Sequence, residues 1–221
     1  MKEKKYLPAI GMLFVSVLIV SNMIGGKLTT LRGWNFSAAL VIFPVSYIIG
    51  DIMTEVYGYA EERRLIWIGF GCNLVAALAT LLAVHLPSAV FYRDQTAYVT
   101  VLGQTPRLLA ASLLAYLVGG FVNAWVLAKL KVRTSGKYLW LRTITSTIVG
   151  EVLDSALFNF VAFAGMYTFL DVRGVMLTEW VMKCGFEILA LPATYAAVRF
   201  LKRAERMDVY DRTTNFNPLK L

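Results

Sequence analysis

The sequence is short of what metalloproteins and soluble domains rely on. Its 221 residues include one histidine, His85, and two cysteines, Cys72 and Cys184. One imidazole and two separated thiols make no metal-ligand set, so neither a metal nor another cofactor is expected. Both cysteines fall inside apolar runs, which excludes a disulfide framework. Charge is scarce as well. Asp, Glu, Lys and Arg supply 16% of the chain, whereas an ordinary soluble domain carries about 25%. Acids are the rarer sign, 14 against 22 Lys and Arg, for a net charge of +8. That balance suits nucleic acid, but the basic residues sit at the ends of apolar segments. No soluble basic face tracks a phosphate backbone, so nucleic-acid binding is excluded. No nucleotide-binding motif is present either, so this chain does not itself use ATP.

What is abundant is apolar. Hydrophobic residues make up 58% of the chain and the mean hydropathy is +0.62. Six apolar runs stand out, approximately 7–26, 37–58, 64–86, 107–130, 143–166 and 175–200. Each is near the roughly 20 residues that a helix needs to cross a bilayer. The expected fold is an all-α integral membrane bundle of six transmembrane helices. It forms a single transporter-sized domain over 1–221, with a tail from about 201 to 221. The first run is full length and no small-x-small cleavage site follows it, so it reads as a span and not as a signal peptide. Lys and Arg mark the orientation. Sixteen fall on the side of the N-terminus, the second and fourth loops and the tail, and five on the other. Both termini are therefore expected in the cytoplasm. The connection 87–106 is either a cap on the external mouth or a plain connector.

Charge inside these runs is the second signal. A transmembrane charge costs roughly 2.5–3.5 kcal/mol on insertion scales, yet this chain keeps several. The second run carries Asp51 and Glu55, four apart and on one helical face. The fifth carries Glu151 and Asp154, and the sixth Lys183 and Glu187. Asn22, Asn73 and Asn123 add amides from the first, third and fourth runs. Helical rise places Asn73, Asp154, Lys183 and Glu187 near the midplane, with Asp51, Glu55 and Glu151 closer to the cytoplasm. One polar chamber collecting these side chains is expected. The competing reading is an ion-pair network, with Lys183 on Glu187 along one helix and Glu55 on Arg63 or Arg64. Pro44 and Pro192 lie inside runs and are expected to kink them. Gly25, Gly26, Gly69, Gly71, Gly119 and Gly120 read as close-packing positions.

A weak internal echo is also visible. Ile49-Gly50-Asp51-Ile52-Met53-Thr54-Glu55 resembles Val149-Gly150-Glu151-Val152-Leu153-Asp154-Ser155, in runs that cross in opposite directions. A three-plus-three inverted repeat produces such a pair; chance similarity between short apolar segments also does.

The run Phe43-Pro44-Val45-Ser46-Tyr47-Ile48-Ile49-Gly50-Asp51-Ile52-Met53-Thr54-Glu55-Val56-Tyr57-Gly58-Tyr59 resembles the hallmark of the queuosine-precursor transporter family, formerly the vitamin uptake transporter family. Agreement extends to Arg64 through Asn73, to Pro106-Arg107 with Ala111, Ser112 and Tyr116, to Ser146 through Ser155, and to Tyr210 through Pro218. The resemblance covers nearly the whole chain. It implies import of 7-deazaguanine bases, the 7-cyano and 7-aminomethyl forms, across a bacterial plasma membrane for salvage into the tRNA nucleoside queuosine.

The residues suit such a base. A carboxylate accepts two adjacent N–H groups with forked geometry, amides or hydroxyls meet a carbonyl, and aromatic rings stack on the flat face. The substrate-binding candidates are Asp154, Glu187, Glu151, Asn73, Lys183, Phe43, Tyr47 and Asp51. Glu55, Asn22 and Asn123 are candidates for coupling or gating. The expected partners are a small planar base and the lipid bilayer; proteins of this size also form homodimers, though nothing identifies an interface. Two rivals stay open. One is a substrate-capture subunit of an energy-coupling vitamin importer, which needs partner subunits. The other is an intramembrane enzyme. Gly50-Asp51 matches part of an intramembrane aspartyl protease motif, but Ile48 stands where its first glycine belongs, and the sequence is not expected to be an enzyme.

Overall fold

The computed structural model describes residues 4–25, 27–31, 34–103, 106–163 and 169–220. Seven α-helices are present among them: α1 (Leu7–Ile24), α2 (Phe43–Tyr57), α3 (Tyr59–His85), α4 (Gln95–Leu102), α5 (Pro106–Arg133), α6 (Leu139–Phe163) and α7 (Phe169–Glu205). Five of them, α1, α3, α5, α6 and α7, are long and apolar enough to cross a membrane. Their outer surfaces are apolar, with Met12, Leu82, Phe160 and Leu189 exposed, while Asp51, Glu55, Glu151 and Glu187 are buried inside. Polar inside and apolar outside is the arrangement that lipid selects. The chain is a multi-pass membrane protein with an all-α bundle.

The second expected span is the one that departs from expectation. Its helix, α2, has only 15 residues, about 22 Å at the usual rise. The stretch before it is an antiparallel hairpin, β1 (Leu28–Leu31) with β2 (Trp34–Ser37), then a 3-10 turn over Ala38–Val41. Pro44 explains where α2 begins. It occupies the first turn, where its missing N–H has no helical acceptor to lose, so it starts the helix instead of kinking one. Pro192 does lie within α7.

α2 is the axis of the fold. Twelve of its 15 residues are buried, and it packs against α1, α3, α5 and α7. Phe14 and Leu18 of α1, Ile49, Met53 and Val56 of α2, and Val198 and Leu201 of α7 share one core. Glycines let α5 and α6 approach: an added Cβ on Gly119 would lie 3.2 Å from the Gly150 carbonyl, and one on Gly150 3.0 Å from the Gly119 carbonyl. Gly69 has the same role against Tyr116 and Leu18, whereas Gly71 meets nothing and is not a packing position. Gly26 lies outside the described residues.

Two tight turns close one end of the bundle. Gly58, at φ +88°, joins α2 to α3, and Gly136, at φ +76°, lies between α5 and α6. Both use the left-handed region that glycine enters without penalty. The segment after α7 lies across these turns. Tyr59 N–H donates to Asp211 Oδ2 (3.1 Å), Arg63 donates to the carbonyls of Asn215 (2.8 Å) and Asn217 (2.9 Å), and Trp67 Nε1 donates to Pro218 O (2.8 Å). The start of α1 joins the same end through Tyr6 N–H to Glu205 Oε1 (2.7 Å) and Lys4 to Glu61. The residues before α1 and after α7 thus share one end of the molecule, here termed the inner end. α4 interrupts the 87–106 connection and packs on α3.

Candidate functional site

The structure sorts the expected chamber residues into three groups. The first is at the inner end. Glu55, which is 1% exposed, is surrounded by three cations: Lys202 Nζ at 2.6 Å, Arg142 Nη2 at 2.9 Å and Lys131 Nζ at 3.7 Å. Asp208 holds two of the same cations, Lys131 at 2.6 Å and Lys202 at 2.9 Å. Arg142 also donates to the Lys137 carbonyl. Glu55 therefore pairs with neither Arg63 nor Arg64; those side chains turn to the tail and to Glu61. Lys131 and Arg142, expected as loop charges, are buried. This group is a structural lock between α2, α5, α6, α7 and the tail. Outside the membrane spans, burial works to raise the Asp208 carboxyl, but hydrogen bonds from Lys131 and Lys202 outweigh it and hold it below its ordinary value.

The second group lies among α2, α5, α6 and α7. Lys183 Nζ donates to Glu151 Oε2 (2.7 Å) and Asp154 Oδ2 (3.0 Å). It is thus tied to α6, not to Glu187 on its own helix. The same ammonium lies 4.7 Å from the centre of the Phe43 ring, and that ring is 5.7 Å from Tyr47. Tyr47 Oη and the Asp154 Cβ both come within 3 Å of the position a Cβ on Gly119 would take, at 2.8 and 2.9 Å. Side chains of α2, α6 and α7 therefore converge where α5 has none. On the helices that carry this triad and Tyr47, buried polar atoms have no protein partner: Tyr47 Oη, Ser155 Oγ, Thr147 Oγ1 and Glu187 Oε1. One turn deeper on α2, Asp51 Oδ1 accepts from Asn123 Nδ2 at 2.7 Å, while Asp51 Oδ2 and Asn123 Oδ1 are unpartnered. Most buried polar groups in folded proteins are satisfied; six of the ten unpartnered ones among the described residues are these, and the other four, Thr54 Oγ1, Glu62 Oε2, Arg63 Nε and Arg142 Nε, lie toward the inner end.

The third group is separate. Asn22 Nδ2 donates to Asn73 Oδ1 (2.6 Å), Ser112 donates to Asn22 Oδ1 (3.1 Å), and Asn73 Nδ2 donates to Gly69 O (3.0 Å). These side chains line a cavity of about 90 Å³ between α1, α3, α5 and the end of α4. Asn73 and Asn22 are therefore not beside Asp154 and Glu187. The physical reason is register along α5. Ser112 precedes Gly119 by seven residues, about 10 Å of helix, and α1 and α3 meet α5 at that outer level. From its first turn α3 also brings Glu62 to α2, a side chain that sequence reasoning missed. Glu62 is buried, and its Oε1 sits 2.9 Å from where a Cβ of Gly50 would be. The available signal was the pairing of a glycine on α2 with an acid just past the Gly58 turn.

Comparison with known proteins agrees with the motifs. The family described as Putative vitamin uptake transporter matches residues 37–197. The Probable queuosine precursor transporter of Bacillus subtilis strain 168 is 28% identical over 85% of this chain and 82% of its own length. The Queuosine precursor transporter of Escherichia coli K12 is 24% identical over 66% of this chain and 64% of its own length. No solved structure gives a significant match.

Proposed function

The chain belongs to the vitamin uptake transporter family, and from that premise we propose that it imports queuosine precursors, the 7-cyano- and 7-aminomethyl-7-deazaguanine bases, across a bacterial plasma membrane. The observation that carries the site assignment is the set of unpartnered buried atoms on the helices that carry the Lys183 triad and Tyr47. Glu187 offers a carboxylate with no cation on it, suited to the adjacent N–H donors on one edge of a deazaguanine. Tyr47, Ser155 and Thr147 supply hydroxyls that donate or accept, and the Phe43 ring supplies a flat face. Lys183 is oriented by Glu151 and Asp154 so that its ammonium stands beside Phe43. α2 begins beside this site, at Phe43. Asn73 and Asn22 belong to an outer cavity on the approach to that site, and Glu55 to the lock beneath it.

In this conformation the inner end is closed by Glu55, its three cations and the tail. Release of a base inward then requires those ion pairs to separate, with the inner end on the cytoplasmic side. The test is equilibrium binding of both deazaguanines to purified protein, with guanine and adenine as competitors, followed by uptake into proteoliposomes containing this chain alone. Saturable binding that prefers a deazaguanine, with uptake, supports the proposal. Absence of binding by folded protein overturns it. Binding without uptake transfers the function to a capture subunit that needs partners.

A further inference from the structure

The buried carboxylates divide by whether a cation sits on them. Glu55, Glu151 and Asp154 each have at least one. Asp51, Glu62 and Glu187 have no salt bridge among the described residues, and each keeps a buried oxygen without a partner. Of these, Asp51 is the most enclosed, at 0% exposure. Leaving an ionised carboxylate there with no cation is among the costliest arrangements a protein can hold.

The Asn123 amide makes the case specific. Its Nδ2 donates to Asp51 Oδ1 at 2.7 Å, which holds the two planar groups together. The other oxygen of each, Asp51 Oδ2 and Asn123 Oδ1, is buried and lacks a donor. Both are acceptors when Asp51 is ionised, so neither can satisfy the other. A single proton on Asp51 Oδ2 changes that. Its O–H donates to Asn123 Oδ1 while Asn123 continues to donate to Asp51 Oδ1, and the acid and amide form a ring closed by two hydrogen bonds. One proton thus satisfies two orphaned acceptors.

The surroundings give such a proton somewhere to go. Glu187 of α7 and Glu62 of α3 both act electrostatically on Asp51, and Glu62 Oε1 lies 2.9 Å from where a Cβ of the adjacent Gly50 would be. On α2 itself, Glu55 lies one turn deeper and is held by Lys131, Arg142 and Lys202, while Tyr47 lies one turn shallower. On α6 the nearby charges, Arg142 and Glu151, are already paired, and α1 carries no titratable side chain. Glu187 belongs to the proposed base site, and Glu62 stands in the first turn of α3, next to the inner end. Asp51 lies between them.

We infer that Asp51, paired with Asn123, is a proton-binding site distinct from the base site, and that its loading and unloading between Glu187 and Glu62 couples base import to a proton gradient. This rests on the transport reading. No bond other than O–H is made or broken: the proton leaves one carboxyl oxygen and is accepted by the next.

Two measurements test it. The first needs no substrate. Infrared difference spectra of the purified protein in H₂O and D₂O at neutral pH should show the C=O stretch of a protonated, hydrogen-bonded carboxyl. That band should be lost in Asp51→Asn, in which an amide reproduces the two-bond ring without a titratable proton. Its absence in the unsubstituted protein, or its persistence in the variant, overturns the inference whatever the protein transports. The second uses proteoliposomes loaded with 7-cyano-7-deazaguanine. The ratio of accumulation driven by an imposed pH gradient to counterflow exchange should collapse in Asp51→Asn. A gradient that drives no accumulation by the unsubstituted protein, while exchange proceeds, overturns the coupling. Failure of exchange itself instead counts against the transport reading and leaves the infrared result to decide the proton site.

Discussion

Glu55 and Asp51 lie one turn apart on the same face of α2, yet they have opposite surroundings. Three cations converge on Glu55. Asp51 has one amide hydrogen bond and an empty acceptor beside it. A helix that spends buried charge twice within about 6 Å does so for two purposes. At Glu55 the charge ties four helices together. At Asp51 and the nearby Glu187 it is left unsatisfied, which is a cost to the fold that only a proton or a ligand removes. The lesson is that burial of a carboxylate in a membrane bundle does not by itself mark a binding site; the distinguishing feature is whether the protein has already paired it.

Substitutions can break this contrast. The largest effect is expected from Glu55→Ala, which leaves Arg142 without its carboxylate and Lys131 and Lys202 with Asp208 alone. Removing one partner of a buried pair costs about 3–5 kcal/mol, so the detergent-solubilised protein should unfold at much lower temperature or fail to accumulate folded. An unchanged melting temperature would remove Glu55 from the lock. Next is Lys183→Met, which leaves Glu151 and Asp154 facing each other. It should both lower thermal stability and weaken base binding by roughly two orders of magnitude, if one charge-assisted bond of about 1.5–3 kcal/mol and the site's shape are lost. Glu187→Gln sharpens the comparison because it should separate the two properties. Its melting temperature should stay within the narrow range of neutral substitutions, about ±0.5 kcal/mol, while binding falls roughly tenfold or more. Destabilisation as large as that of Glu55→Ala would show that Glu187 is structural.

The smallest effect concerns Asp208. Its carboxyl is held below the ordinary value by Lys131 and Lys202 against the opposing effect of burial. A depressed folded value means that the tail contact contributes stability above the unfolded carboxylate range and loses it as pH falls through the folded value. The protection of residues 208–218 against hydrogen exchange, relative to the intrinsic rate at each pH, should therefore fall at acid pH, and Asp208→Asn should flatten that dependence. With its side chain 41% exposed, Asp208 should move global stability little.

Much of the architecture was legible because lipid imposes strict rules. Runs of apolar residues gave five of the long helices to within several residues, and the acids singled out inside the runs, Asp51, Glu55, Glu151, Asp154 and Glu187, are all buried. α2 was not legible as a helix of only 15 residues behind a 3-10 turn. Hydropathy counts apolar residues and is blind to the hairpin at Leu28–Ser37, and Pro44 looks the same to it at the start of a helix as in its middle. Pairing was not legible either. Lys183 and Glu187 are four apart, a spacing that favours a pair on an isolated helix, but the neighbouring α6 offers Lys183 two carboxylates. Asn73 was misplaced because depth was counted along α3 alone, whereas its level is set against α5, where its neighbour Ser112 precedes Gly119 by seven residues. Glu62 was missed because it stands beside a turn, where charge is usually solvated.

The strap across the inner end bears on how the protein is made. Tyr59, Arg63 and Trp67 begin α3, but the carbonyls they bind belong to Phe216, Asn215, Asn217 and Pro218, up to 157 residues later in the chain. During synthesis α2 and α3 enter the bilayer long before those groups leave the ribosome. The guanidinium and indole N–H must therefore rely on water or lipid headgroups in the meantime. The inner face is completed only when the segment after α7 arrives, so the start of α3 is among the first parts of the bundle to be made and among the last to find its partners.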